Sequence, residues 1–277
     1  MIDLNKILTT GASGMVGSYV DFGIKTDSES LDVTNLDEVM RVVRQYRPQA
    51  IIHLAAETDV DLCDRDPNHA YSVNGIGVYN IATAALDVGA KLVYVSTAGV
   101  FDGEKDCPYT EEDVPSPKNF YGRSKHLGEL IVRGMLKDYI IARACWMFGG
   151  GMEKDKKFVS KIIKQLNKPE IKAVNDAFGS PTFGKDLVGT LKQLLTDDAT
   201  GIFHLGNEGV CSRYEVAKFI IETLKPDVEI TAVGLDYFPG ANRVKNEAVV
   251  SEVKLMRPWQ EALKEYLETE WKHTIKN

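Results

Sequence analysis

Short apolar runs alternate with stretches of helical spacing along the first half of the chain. Lys6–Thr9 reads as a strand that ends in a glycine cluster, Gly11-Ala12-Ser13-Gly14-Met15-Val16-Gly17, which opens a helix. Leu36, Val39, Met40 and Val43 share one face of a helix over Leu36–Tyr46, stopped by Pro48. Ala50–Ala55 follows as a buried strand, Ala70–Val88 as a long helix and Lys91–Ser96 as another apolar strand. Tyr121–Lys137 is helical again, and Tyr139–Ala144 is extended. Strands apolar at nearly every position, separated by helices, predict a parallel sheet covered on both faces. The expected fold class is α/β, a doubly wound parallel sheet.

The character shifts after Gly149. A glycine triplet and the charged stretch Met152–Lys157 lead into a helix over Phe158–Leu166, then a loop over Asp176–Pro181. A helix at Leu187–Leu195, a strand at Ile202–Leu205, a helix at Arg213–Lys225 and a last helix from Pro258 complete the pattern. Ser212 and Glu215 have capping-box spacing at the start of the third of these helices. The expected division is residues 1–148 as a dinucleotide-binding domain and 149–277 as a smaller substrate-binding lobe, with chain crossings between them allowed. The lobe would close over the C-terminal edge of the sheet, where open α/β sheets bind ligands. The loop Phe238-Pro239-Gly240 is a candidate to return to that pocket.

Composition narrows the class. With 277 residues, 44% hydrophobic and 26% charged, the chain is long enough for a sizeable core and is not a disordered one. Thirty-three basic against 40 acidic side chains give a net charge of −7, which excludes a protein that coats nucleic acid. No apolar run reaches the ~18 residues a membrane helix needs, and the N-terminus lacks a secretion layout, so a cytoplasmic protein is expected. The four cysteines (Cys63, Cys107, Cys145, Cys211) and five histidines are scattered, without disulfide-framework or metal-ligand spacing.

Three motifs carry chemistry. Glycines between a strand and a helix let the backbone approach a pyrophosphate, so the first cluster is a dinucleotide site of the Rossmann type. Tyr121 and Lys125, four apart on a helix, project from one face. A phenol with an ordinary pKa near 10 needs roughly 3 units, ~4 kcal/mol, to ionise at neutral pH, and an ammonium one turn away supplies part of it. Protonated, the same phenol donates to the oxygen of a carbonyl under reduction. Thr97, at the C-terminal end of the Lys91–Ser96 strand, is placed to hydrogen-bond that oxygen or, alternatively, to satisfy the turn that ends the strand.

Together these motifs resemble the extended short-chain dehydrogenase/reductases, and among them the dTDP-4-dehydrorhamnose reductase family. Further matching segments are His53–Asp61, Val73-Asn74, Pro117 to Gly122, Arg143–Gly149 and Asn175–Thr182. The resemblance implies that Gly11, Ser13, Gly14, Met15 and Val16 hold the cofactor pyrophosphate. It implies Asp32 and Val33 at the adenine, Ala55, Ala56 and Thr58 at the nicotinamide, and Val95 beneath it. Thr97, Tyr121 and Lys125 become the catalytic set, with Asn74 a candidate member of a proton relay. Thr97, Ala98, Trp146 and Arg243 would meet the substrate. Trp146 read without the resemblance is equally a core residue, and Arg243 an exposed, unpaired one.

The chain departs from the family pattern at several positions, of which residues 98, 99 and 177 are pocket changes by the resemblance. Ala98-Gly99 stands where the family carries Asp-Tyr, Ala177 where it carries Gln, Val244 where it carries Pro, and Glu247 where it carries Ser. Only 14 residues separate Gly17 from Asp32, so the first helix can be about two turns at most. Lys25 is the sole cation there, a slight tilt toward NADP over NAD. The implied activity is NAD(P)H-dependent reduction of a nucleotide-linked 4-keto-6-deoxysugar. A nucleotide-sugar epimerase and a non-catalytic NADP-binding regulatory subunit, like that of methionine adenosyltransferase, remain alternatives. A homodimer is one assembly open to such a chain; nucleic-acid and membrane partners are not expected.

Overall fold

A computed structural model describes residues 2–224 and 227–271. In chain order, β1 (Ile7–Thr10) and β2 (Ile24–Lys25) precede α1 (Leu36–Tyr46) and β3 (Ala50–His53). The short helices α2 (Val60–Arg65) and α3 (Pro67–Tyr71) follow, then a π-turn at Ser72–Ile76 and α4 (Gly77–Val88). Next come β4 (Lys91–Thr97), α5 (Phe120–Met135) and β5 (Tyr139–Ala144). Beyond them lie β6 (Met147–Phe148), α6 (Gly151–Lys154), α7 (Phe158–Ile163), β7 (Glu170–Val174), β8 (Phe178–Gly179) and β9 (Thr182–Phe183). The chain ends through α8 (Gly184–Thr196), β10 (Gly201–His204), β11 (Cys211–Ser212), α9 (Arg213–Leu224), β12 (Glu229–Val233) and α10 (Trp259–Tyr266). Lys225, where the sequence pattern ends α9, lies outside the described residues.

The central sheet is six-stranded, ordered β10-β5-β4-β3-β1-β2, and every pairing in it is parallel. β1 and β3 are buried along their whole length, as expected of strands covered on both faces. One face packs Val39, Val42 and Val43 of α1, Val78 and Ile81 of α4, and Val132 of α5. The other packs Leu187, Val188, Leu191, Leu194 and Leu195 of α8 against Ile7, Ile52, Val93 and Ile140. α8 and β10 thus belong to the sheet's core although they follow residue 149. A separate core joins α7, α9 and α10 through Val159, Ile162, Ile220, Leu263 and Tyr266.

Local chemistry sets the helix ends. Asn35 caps α1 by accepting from the Glu38 N–H at 3.2 Å, and Arg47 ends it with φ 44° before Pro48. Ser212 and Glu215 form the reciprocal capping box, with bonds of 2.7 and 3.1 Å. One sequence expectation is corrected. The glycine cluster opens only a single 3₁₀ turn, Gly17–Tyr19, not an α-helix. The long helix expected over Ala70–Val88 is present, its backbone helical from α3 through the π-turn into α4, with Asn74 buried on the π-turn.

A buried ion pair fastens α5 to β5. Glu129 and Arg143 are 0% and 1% exposed and bond in a fork at 2.9 and 2.8 Å. The Ser96 hydroxyl donates to the same carboxylate at 2.6 Å, and Arg143 reaches His204 of β10 at 3.3 Å. Burial alone would push the Glu129 carboxyl up, but the Arg143 fork, the nearby His126 ring and the Ser96 bond outweigh it and hold it at about 2. Its contribution is complete above its ordinary value of 4.5 and fades as the pH falls toward 2. Glu129→Ala leaves the guanidinium buried without its counter-ion. We expect a loss of about 3–5 kcal/mol in urea unfolding at neutral pH; a loss below about 1 kcal/mol contradicts this view of the pair.

Candidate active site

In a parallel sheet all strands end on one edge, and the candidate residues collect there. Gly11 to Val16 follow β1, Asp32 and Val33 come after β2, and Ala55, Ala56 and Thr58 follow β3. Val95 and Thr97 close β4, Ala98 begins the 3₁₀ turn after it, and Trp146 follows β5. Tyr121 and Lys125 reach this edge from the first two turns of α5, whose cap is the Asn119 carboxamide accepting from Gly122 N–H at 2.8 Å.

α5 packs closely on β4 and on the 3₁₀ turn that follows it. A Cβ on Gly122 would collide with the Gly99 carbonyl, and one on Gly128 with the Tyr94 hydroxyl. Across this seam Tyr121 lies near enough to Thr97 for that hydroxyl to act on the phenol, while Thr97 Oγ1 accepts from Gly99 N–H at 3.0 Å. The Lys125 ammonium donates to the Val95 carbonyl at 2.8 Å and sits 4.2 Å from the centre of the Tyr94 ring. Tyr94 Oη in turn donates to the Lys125 carbonyl at 3.1 Å. Asn74 accepts from Glu57 N–H and donates to the Glu57 carbonyl and Ser124 Oγ, so both its donors are engaged within the protein.

Electrostatics follow from burial. Loss of water pushes Tyr121 up to about 12, against the lowering effect of the nearby Thr97 hydroxyl, so the phenol keeps its proton at neutral pH. Burial pulls the 3%-exposed Lys125 amine down to about 7. His53, buried and bonded through Nδ1 to Thr10 Oγ1 at 2.7 Å, is driven to about 3 by burial and then by the Lys125 charge, and stays neutral.

The strand order reverses between β1 and β3, the position where doubly wound sheets hold dinucleotides. Gly11, with φ +67°, passes so near β3 that a Cβ there would lie 2.6 Å from Ala55 N. Gly14 is exposed, and the N–H groups of Ser13, Met15 and Val16 make no hydrogen bond among the described residues. Open donors around a glycine bend fit an anionic pyrophosphate, although a 3₁₀ turn replaces the helix dipole. Asp32 Oδ1 accepts from Thr34 N–H and Oγ1, and Val33 is buried with its carbonyl bonded to Asn80. Ala55 and Ala56 are half-buried, whereas Thr58 is exposed and already bonded to the Lys157 ammonium at 2.9 Å.

Toward the second core, Trp146 adopts φ 38°, a left-handed conformation costing about 1–3 kcal/mol in a bulky residue. Its indole N–H donates to Glu247 Oε2 at 2.7 Å, and the Arg213 guanidinium stacks 4.1 Å from its ring centre. Arg243 is not unpaired: it meets Asp61 at 3.1 Å, and Ala241 N–H donates to the same carboxylate at 2.7 Å. The 238–243 loop therefore does return to the helices beside the site. A cavity of about 850 Å³ opens here, walled by Lys105, Lys118, Phe178, Arg243 and Lys245 among others. Thr97, Tyr121 and Lys125 do not line it; Asn246 and Ala248, the neighbours of Glu247, do.

Sequence reasoning passed over Glu129, Arg143 and His204 as a network, and Arg213 and Glu247 as site residues. Glu129 had a signal, since it continues the four-residue spacing of Tyr121 and Lys125. Arg143 had one as a charge inside an apolar strand.

The family model described as RmlD substrate binding domain matches residues 5–271. The chain is 33% identical to the spore coat polysaccharide biosynthesis protein SpsK of Bacillus subtilis, over 96% of this chain and 98% of that one. It is 33% identical to the dTDP-4-dehydrorhamnose reductase of Mycolicibacterium smegmatis, over 94% and 84%. The chain belongs to the dTDP-4-dehydrorhamnose reductase family. Among solved structures of that name, the Clostridium acetobutylicum protein superposes with a TM-score of 0.91 at 34% identity, covering 95% and 98% of the two chains. The Bacillus anthracis reductase, solved with NADP, gives 0.91 at 33% identity over 96% and 99%. A Thermus thermophilus UDP-glucose 4-epimerase, at 20% identity and a TM-score of 0.80, shares the fold.

The burial of Lys125 makes a prediction that needs no substrate. The unfolded chain keeps this proton up to the ordinary value of 10.5, while the folded one releases it near 7. Stability therefore rises with pH across that window, because the unfolded state binds more protons there. Relative to Lys125→Met, the cofactor-free wild type should gain about 1.4 kcal/mol per pH unit between 7 and 10 in urea unfolding. A difference independent of pH would show that the amine keeps its proton.

Proposed function

We propose that this family member reduces the C4 carbonyl of a dTDP-linked 4-keto-6-deoxysugar, using NADPH or NADH. The observation that carries the proposal is the α5–β4 seam, which brings a protonated phenol, a hydroxyl and a buried amine to the cofactor edge of the sheet. The names of the relatives support the substrate class: one further relative, from Streptomyces niveus, 34% identical over 80% of each chain, is a dTDP-4-keto-6-deoxy-D-glucose reductase.

Bound at the β1/β3 switch point, NAD(P)H supplies the hydride. Thr97 and Tyr121 hold the carbonyl oxygen between their hydroxyls, and Tyr121 gives its proton as negative charge develops there. Lys125, fixed between Val95 and Tyr94, stands one helical turn behind the phenol and orients the cofactor ribose. Its charge, when present, eases re-protonation of the phenol by favouring the transient phenolate. Gly11 to Val16 hold the pyrophosphate; Asp32 and Val33 border the adenine; Ala55, Ala56 and Val95 flank the nicotinamide. Exposed Lys25 at the tip of β2 supports a 2′-phosphate. The cavity beyond Glu247 takes the nucleotide, with Phe178 (42% exposed) available for base stacking and Arg243 for the diphosphate.

The test is a dTDP-4-keto-6-deoxysugar with NADPH, followed by loss of nicotinamide absorbance, for wild type and Tyr121→Phe. Removing the general acid should lower turnover by about 10²–10⁴-fold while cofactor affinity, read by fluorescence titration, stays within a few-fold. Equal turnover by the two proteins would remove Tyr121 from the mechanism.

A further inference from the structure

Two of the sequence departures meet in space. Gly99 has no side chain, and the point its Cβ would occupy is 3.4 Å from Thr97 Oγ1 and 3.5 Å from Glu247 Oε1. The Glu247 carboxylate therefore borders the room left by the missing side chain, and Thr97 Oγ1 borders it too. It is anchored from three sides. Its Oε2 accepts from the Trp146 indole at 2.7 Å. Its backbone N–H donates to the Phe178 carbonyl at 2.8 Å, and its carbonyl accepts the Cys145 thiol at 3.2 Å.

Behind Trp146, the Arg213 guanidinium lies 4.1 Å from that ring and 4.9 Å from Phe158, and it makes no hydrogen bond or ion pair among the described residues. It clamps the indole from the side and places a positive charge near Glu247. The anchoring leaves Oε1 without a hydrogen bond among the described residues, half-buried and pointing at the gap. A carboxylate oxygen held this way has one preferred complement, a donor on the ligand.

We propose that Glu247 determines which sugar the site accepts, by receiving through Oε1 a hydrogen bond from a hydroxyl on the ring carbon next to the reacting carbonyl. The inference rests on the reductase reading: Thr97 holds the carbonyl oxygen, so the other group bordering the gap left at residue 99 meets the neighbouring ring substituent. Trp146 is the wall that fixes the carboxylate, and Arg213 the brace behind the wall.

The test measures binding of dTDP-rhamnose and of dTDP alone to the NADP⁺-loaded protein by calorimetry, for wild type, Glu247→Ala and Glu247→Gln. A bond to a charged acceptor implies that Glu247→Ala weakens dTDP-rhamnose about tenfold or more, with dTDP unchanged. A dTDP-sugar lacking that ring hydroxyl discriminates acceptance from scaffolding. Glu247→Ala should leave its affinity unchanged, and Glu247→Gln, with one neutral oxygen, should fall between wild type and alanine for dTDP-rhamnose. If the alanine variant weakens the deoxygenated sugar as much as dTDP-rhamnose, Glu247 merely positions Trp146 and the proposal is overturned. Equal sugar affinity in all three proteins also overturns it, leaving the reductase reading intact. A wild type that binds no dTDP-sugar overturns both.

Discussion

The distance between α5 and β4 is the constraint on which this molecule depends. Gly122 and Gly128 remove the two side chains that would hold helix and strand apart, one against the Gly99 carbonyl and one against the Tyr94 hydroxyl. With that approach allowed, Lys125 and Glu129, spaced one helical turn apart, bond to Val95 and Ser96 of a single strand, and Tyr121, one turn before them, comes near Thr97 at its end. The same contact excludes water from the amine and the phenol, and exclusion of water raises the phenol, which keeps its proton, and lowers the amine toward neutrality. Packing and chemistry are one feature here.

The third member of that row links chemistry to stability. Glu129 carries no reacting role, yet through Arg143 it ties the helix to β5 and through His204 to the last strand of the sheet. A buried pair of this kind is weak evidence of net stabilisation, since apolar side chains of equal volume often do as well. What it supplies is registry: a forked guanidinium–carboxylate contact admits little sliding of helix over strand, and sliding would separate Tyr121 from Thr97.

Much of this could be read from residues alone, and the limits are physical. Strands buried on both faces announce themselves because nearly every position must be apolar, so β1, β3, β4 and β5 were legible, and the spacing of Tyr121 and Lys125 placed both on one helical face. The helix after the glycine cluster was misjudged because strand and glycine are the same signal whether an α-helix or a 3₁₀ turn follows. Two-residue strands such as β6, β8, β9 and β11 cannot carry a period. The Trp146–Glu247 bond joins residues 101 apart, and no spacing rule reaches that far. Its trace was a pair of departures from the family pattern, which gain meaning only when the fold sets them side by side.

The most direct measurement follows the hydride itself. Incubating the protein with a dTDP-4-keto-6-deoxysugar and NADPH carrying deuterium at the nicotinamide C4 position should place one deuterium on C4 of the sugar, seen by mass spectrometry and NMR. Deuterium at another ring carbon, or none in the sugar while the cofactor is oxidised, would contradict the placement of the carbonyl between Thr97 and Tyr121.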